Sequence, residues 1–191
     1  REIEAEPAGA GARGLWNEVE DSGFADALTA ETKGGAGLGL PDAATIAMAC
    51  GRHAMPLPMA LTLPVRAALA AAGEIPRGSI TIAPASALVA KGKGPIVSMA
   101  VPYGLVADWV LLCTPSDGWL LPTVKATRQR SGGHGSVAAD IQWPDLPADA
   151  LRLRGPEGAT SDWRATAAAF VAAQMAGAME RLLEMTITYA N

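Results

Sequence analysis

From Ser161 to Asn191 the chain reads as one uninterrupted amphipathic helix, and this segment limits the fold more than any other. Trp163, Ala167, Phe170, Val171, Gln174, Met175, Ala178, Leu182, Met185 and Tyr189 form a stripe, with Ser161 at the N-cap position. At 1.5 Å per residue the helix is on the order of 42 Å long. One helix of that length cannot bury its stripe inside a small domain, and helices in proteins gain most of their stability from such packing. Thr188-Tyr189-Ala190-Asn191 keep the helical register with no stop signal. The stripe is therefore expected to open a larger helical domain cut short here, or to pair with helices of another subunit.

The chain ahead of this helix divides in two. Leu15, Trp16 and Val19 recur at helical spacing, and Gly23 is placed to end their helix. After the stretch Lys33-Gly34-Gly35-Ala36-Gly37-Leu38-Gly39-Leu40, Pro41 and Asp42 open a second helix, since proline suits the first turn and aspartate the dipole. Gly51 lies near its end, and Met55-Pro56-Leu57-Pro58 prevents its continuation. A third helix is expected over about Met59–Ala72, stopping at Gly73.

From about residue 78 the pattern changes to short apolar runs bounded by turn residues. These are Ser79–Ala83, Pro95–Val101, Trp109–Thr114, Trp119–Val124, Ser136–Trp143 and Leu151–Arg154. Their spacing of roughly 8–15 residues predicts a small antiparallel barrel or sandwich. Pro115-Ser116-Asp117-Gly118 has hairpin-turn chemistry. Lys91-Gly92-Lys93-Gly94 and Ser131-Gly132-Gly133-His134-Gly135 read as exposed connections. The fold class is thus α+β: an N-terminal helical domain over 1–75, a β-domain over 76–157, and the start of a C-terminal helical domain over 158–191. Trp16, Phe24, Leu38, Ile46, Met48, Val101, Val110, Leu112, Phe170 and Leu182 are the expected core or interface residues.

Composition narrows the function. Hydrophobic residues make up 50% and charged residues 18% of the 191, which rules out a disordered chain. Alanine supplies roughly a fifth of the residues, well above ordinary usage, and favours closely packed helices. The formal charge of −4 would repel a phosphate backbone, so generic nucleic-acid binding is not expected. No stretch of 18 uninterrupted apolar residues offers a membrane span. Arg1 to Pro7 lack a signal-peptide pattern, and a start at Arg1 rather than Met is expected from processing or trimming. Cys50 and Cys113 lie outside any C-x-x-C spacing and read as two buried free thiols of a reducing cytoplasm.

No set of residues builds an active site by itself. Gly35, Gly37 and Gly39 miss the G-x-G-x-x-G spacing because residue 40 is leucine, and no strand precedes them. Lys91–Gly94 lacks the spacing and hydroxyl of a P-loop. His53 reads as a helix-end residue, and His134 beside Ser136 as a hairpin tip without a G-x-S-x-G elbow. Glu18, Glu20 and Asp21 read as a solvated face. Glu180 and Glu184 lie one turn apart with Arg181 beside them, and nothing points to the raised pKa of a general base. Met175, Met179 and Met185 read as core or interface.

The order of motifs does resemble a family. Leu15-Trp16, Gly23-Phe24 and Gly34-Gly35-Ala36-Gly37-Leu38 resemble the N-terminal pattern of the acyl-CoA dehydrogenase flavoproteins. Gly51-Arg52 with Pro56-Leu57-Pro58 is similar to the family's G-R…P-x-P. Val101-Pro102-Tyr103-Gly104, Ala107-Asp108 and Val110-Leu111-Leu112 resemble its I-T-N-G-x-x-A-D strand pair. Gln174-Met175-Ala176-Gly177-Ala178, Leu183 and Thr188-Tyr189-Ala190 resemble the first helix of its C-terminal domain.

The resemblance implies FAD as cofactor, with Pro102, Tyr103 and Gly104 as the residues facing the flavin position and no catalytic or metal-binding residue in this stretch. The family's T-E-P-x-x-G-S-D stretch is missing between Ile82-Ala83-Pro84-Ala85 and Gly94-Pro95, and its flavin-facing threonine and asparagine are replaced by Pro102 and Tyr103. Proline brings neither hydroxyl nor N–H. These departures resemble the degenerate subunits of two-component acyl-CoA dehydrogenases. The implied function is α,β-dehydrogenation of an acyl-CoA thioester, with this chain as a flavin-poor partner subunit and an electron-transfer flavoprotein as acceptor. FAD would be supplied by, or shared with, the other subunit of a homo- or hetero-oligomer. A self-sufficient homo-oligomeric enzyme with an unusual flavin pocket, or a non-enzymatic scaffold of the same fold, are the alternatives.

Overall fold

A computed structural model describes residues 10–73, 76–85, 94–114, 117–154 and 162–190. Among the described residues three α-helices come first: α1 (Ala10–Asp21), α2 (Leu40–Arg52) and α3 (Met59–Ala72). Gly23 after α1 and Gly73 after α3 take φ of 76° and 92°, the left-handed conformation in which helices commonly stop. Pro41 occupies the first turn of α2, and the Asp42 carboxylate accepts the Gly39 N–H at 3.2 Å. This is the helix start expected from Pro41 and Asp42.

Seven strands follow among the described residues: β1 (Ile80–Pro84), β2 (Ile96–Val101), β3 (Trp109–Cys113), β4 (Asp117–Pro122), β5 (Thr127–Arg130), β6 (Ala139–Trp143) and β7 (Leu151–Arg154). They form two sheets, ordered β1-β3-β4-β7 and β2-β6-β5. The architecture is α+β, as expected, and its β part is a pair of sheets rather than a closed barrel. The sheets are also not wholly antiparallel. β1 pairs with β3 in parallel, Ile80 opposite Trp109 and Pro84 opposite Cys113. The chain leaves β1 for the second sheet at β2 and returns as β3, so the two strands run the same way.

The four-stranded sheet is covered on both faces. Val110, Leu112 and Leu121 face Ile96, Ala139, Ile141 and Trp143 of the second sheet in one buried cluster. Ile80, Ile82, Leu111, Cys113, Leu120 and Leu153 join the helices in the other. This explains the unbroken apolar run of β3, since alternation is lost when both faces are buried. The Thr62 hydroxyl ties α3 to the sheet edge, accepting the Ile80 N–H at 2.9 Å and donating to the Pro58 carbonyl at 2.9 Å. The Trp143 indole, fully buried, donates to the Pro122 carbonyl at 2.8 Å.

The last helix, α4, runs over Trp163–Ala190. Asp162 caps it, accepting from the N–H groups of Arg164 and Ala165 at 3.1 and 3.0 Å; Ser161 lies outside the described residues. Lys91, Gly92, Lys93, Pro115 and Ser116 lie outside them as well; on either side of the last two, β3 and β4 pair antiparallel up to Cys113 opposite Gly118. Among the described residues, no helix is long and apolar enough to cross a membrane.

Burial along α4 differs from the expected stripe. Trp163, Phe170 and Gly177 are buried, with Ala167 and Gln174 half-buried between them, and no residue from Ala178 to Ala190 is buried. Phe24, Leu38, Met48 and Leu182, expected in the core or an interface, are exposed on this chain, whereas Trp16, Val101, Val110, Leu112 and Phe170 are buried. Phe24 and Leu38 flank a loop whose turns are closed by backbone bonds, so their side chains are left at the surface.

Candidate functional site

Pro102, Tyr103 and Gly104 form the tight turn from β2 to β3. Tyr103 has φ of 56°, a conformation that bulky residues rarely adopt and that persists only where the surroundings impose it. The surroundings here are explicit. The Tyr103 carbonyl accepts the N–H groups of Val106 and Ala107, both at 2.9 Å, and the Gly104 N–H donates to Val101 at 3.1 Å. A Cβ on Gly104 would lie 2.9 Å from that of Ala139 and 3.0 Å from the Val101 carbonyl oxygen, so only glycine fits.

The Tyr103 ring packs against the helical core, and its hydroxyl accepts a long hydrogen bond of 3.4 Å from Gln174 Nε2 on α4. Burial raises its pKa, Gln174 opposes the rise, and the nearby Cys50 adds to it.

These three residues offer little to a flavin. Pro102 has no N–H, and its carbonyl already accepts the Thr81 hydroxyl at 2.7 Å. The Gly104 N–H is engaged within the turn. The Tyr103 ring is directed into packed protein at α4. With no free donor at Pro102 or Gly104, the turn is a poor match for an isoalloxazine ring that needs hydrogen-bond donors along its edge.

Next to this turn, α2 and α4 pack along each other. A Cβ built on Gly51 would fall on the Gln174 carbonyl oxygen, and one on Gly177 would fall on the Met48 carbonyl oxygen. The crossing is closed at its far end by ion pairs from Arg52 to Glu184 at 2.7 Å and Glu180 at 3.4 Å. The hydrogen bond from Arg52 lowers the Glu184 pKa, so this carboxylate is held charged and is not a base poised near neutral pH. The sequence showed Glu180 and Glu184 as neighbours; their partner lies 132 residues earlier than Glu184 and carried no local signal.

A second concave region lies between α1 and the start of the β-domain. It is a cleft of about 500 Å³ that begins one residue beyond the turn, at Leu105, and includes Arg13, Trp16, Glu20, Arg77, Asp108, Val124 and Arg128. Below it the buried Arg66 holds Asp26 through Nε and Nη2, both at 2.8 Å, and Glu20 through Nη1 at 2.7 Å. Burial pushes the Glu20 carboxyl up, but the Gly78 N–H and the Arg66 guanidinium outweigh it, and the net shift is down. Burial likewise works against the Arg66 charge and is outweighed by Asp26 and Glu20. Glu20, read from sequence as solvated, is therefore a half-buried carboxylate ion-paired to the buried Arg66.

The remaining motifs are structural. Every backbone N–H from Gly34 to Gly39 has a partner inside this segment of the chain, so the glycine stretch leaves no donors for a phosphate. His53 is exposed and caps α2 through its N–H to Ala49 at 3.1 Å; His134 is exposed in the β5–β6 connection. Among the described residues no group of three His, Cys, Asp or Glu side chains is placed to hold a metal. Both cysteines are free, Cys113 buried and Cys50 half-buried.

No family model matches the sequence, and no curated protein matches it. The fold, however, is similar to that of a chain in the crystal structure of the ChsE4-ChsE5 complex from Mycobacterium tuberculosis, with a TM-score of 0.66 and 21% identity. The match covers 93% of this chain and 57% of that one, so the chain spans little more than half of its neighbour's length. The fold thus defined is a helical layer, a two-sheet β layer and a long closing helix, of the kind found in one chain of a heteromeric complex.

Proposed function

We propose that this chain is the N-terminal and β-sheet part of a flavin-poor subunit of a heteromeric acyl-CoA dehydrogenase. In that assembly the partner subunit carries FAD and the base for α,β-dehydrogenation of an acyl-CoA thioester, and an electron-transfer flavoprotein takes the electrons. The observation that carries the proposal is the fold match, over 93% of the chain, to a chain from a complex of two named components. The β2–β3 turn supports the flavin-poor role, because Pro102 removes a donor and Gly104 keeps its own within the turn. On this reading Pro102, Tyr103 and Gly104 occupy the flavin-facing position without holding the cofactor.

The visible absorption spectrum of the protein at full length tests this. Purified alone and supplied with FAD, it is expected to be colourless; mixed with its partner subunit it is expected to form a yellow complex that oxidises acyl-CoA. One flavin bound per chain in the absence of a partner would overturn the flavin-poor role. A colourless chain that creates no activity with any acyl-CoA dehydrogenase subunit would overturn the enzymatic role.

A further inference from the structure

We propose that the cleft between α1 and the β-domain is a binding site for an amphiphile with an anionic oxygen head, a carboxylate or a phosphate ester. The volume of about 500 Å³ lies within the range of small-molecule sites. Three arginines from separate parts of the chain converge on it: Arg13 from α1, Arg77 from the segment before β1, and Arg128 from β5. Arg13 and Arg77 are exposed, and among the described residues neither guanidinium forms an ion pair; Arg128 spends one N–H on the Leu105 carbonyl at 3.2 Å. A guanidinium presents its donors in a planar fork that matches a carboxylate or phosphate.

The acidic groups of the lining are already engaged from inside. Glu20 accepts from Arg66 and from the Gly78 N–H at 3.1 Å, and Asp108 accepts from the Ser79 N–H at 2.8 Å and hydroxyl at 3.0 Å. Three cations therefore meet two carboxylates, each bound from inside through one of its oxygens, in a chain whose overall charge is −4. Apolar surface completes the site. Val106 is buried in its floor and Leu105 half-buried, while Val124, 84% exposed, stands at its edge. An apolar body lying against these side chains with its head at the arginines satisfies both kinds of surface. Pro102, Tyr103 and Gly104 are not part of this lining, so the site is separate from the β2–β3 turn and does not depend on the flavin reading.

The test is a tryptophan-fluorescence titration of the protein at full length, since Trp16 and Trp109 both line the cleft. The probes are decanoate, decyl phosphate and the neutral decanol. A saturable change with decanoate or decyl phosphate is expected, and the tighter of the two identifies the head group. Decanol should bind at least fivefold more weakly. The double variant Arg13→Ala/Arg77→Ala, both exposed positions, should lose about tenfold in affinity, the equivalent of one charge-assisted hydrogen bond. Met179→Gln on the exposed face of α4 should leave the titration unchanged. Equal binding of decanol, or unchanged affinity in the arginine variant, would overturn the site, as would a titration abolished by Met179→Gln.

Discussion

The bare Cα of Gly177 on α4 packs against the carbonyl of Met48 on α2, and Gly51 on α2 does the same to Gln174 on α4. This reciprocal pair sets how closely the two helices approach. Backbone oxygens cannot turn aside as a side-chain tip can. Gly51→Ala and Gly177→Ala are each expected to force the helices apart and to cost about 1–3 kcal/mol, the range of overpacked cores. Urea unfolding of the two variants measures this. Gly14→Ala, where nothing lies within 4 Å, is the control and should stabilise α1 slightly.

Arg66 is the second point of dependence. It is 6% exposed and forms ion pairs with Glu20 and Asp26 at once. Arg66→Ala would leave two carboxylates uncompensated and should cost about 3 kcal/mol or more. The Glu20 pKa is depressed in the folded chain, so its contribution is fully present above the ordinary 4.5 and is lost as pH falls through the lower native value. The gap in stability between wild type and Arg66→Ala should therefore narrow between pH 7 and pH 3.5. A gap that stays constant across that range would show that the arginine acts by packing alone.

The two thiols give a chemical check on burial. Burial pushes Cys50 up to about 11 and Cys113 up to about 12. At pH 8 only about one Cys50 in a thousand is then thiolate, the form that reacts. Ellman's reagent should react slowly with the native protein and release two equivalents after denaturation. A fast equivalent from the native protein would mean that the α2–α4 contact around Cys50 opens readily.

Much of this architecture was legible because local signals and tertiary demands agreed. Gly73 ends α3 at the residue its sequence position indicated, and Pro41 with Asp42 starts α2. β5 escaped notice because Thr127-Arg128-Gln129-Arg130 is a polar edge strand with no buried side chain and so no apolar alternation. The parallel β1–β3 pairing was invisible for another reason: it depends on which sheet β2 joins, a choice that β2's own residues do not encode. At the candidate sites the missing information was long-range. Tyr103 meets Gln174 across 71 residues, and Arg66 meets Glu20 across 46. Arg13, Arg77 and Arg128 carry no shared motif, so only the folded chain brings them to one cleft.

The C-terminal half of α4 supplies the last expectation. Met175, Met179, Leu182, Leu183, Met185 and Ile187 are each more than half exposed, a contiguous apolar surface of the kind that marks an interface. The Arg52 ion pairs to Glu180 and Glu184 hold the flank of this half against α2 without covering it. The 191-residue chain alone should therefore self-associate at high micromolar concentration, eluting in light-scattering chromatography above its 19.5 kDa. Met179→Glu with Leu182→Glu should shift it to the monomer. Because both side chains already face solvent, each change should move folding stability by no more than about 0.5 kcal/mol. A monomeric wild type would mean that this surface tolerates water, whereas a large loss of stability in the variant would mean that the two side chains are packed within the chain itself.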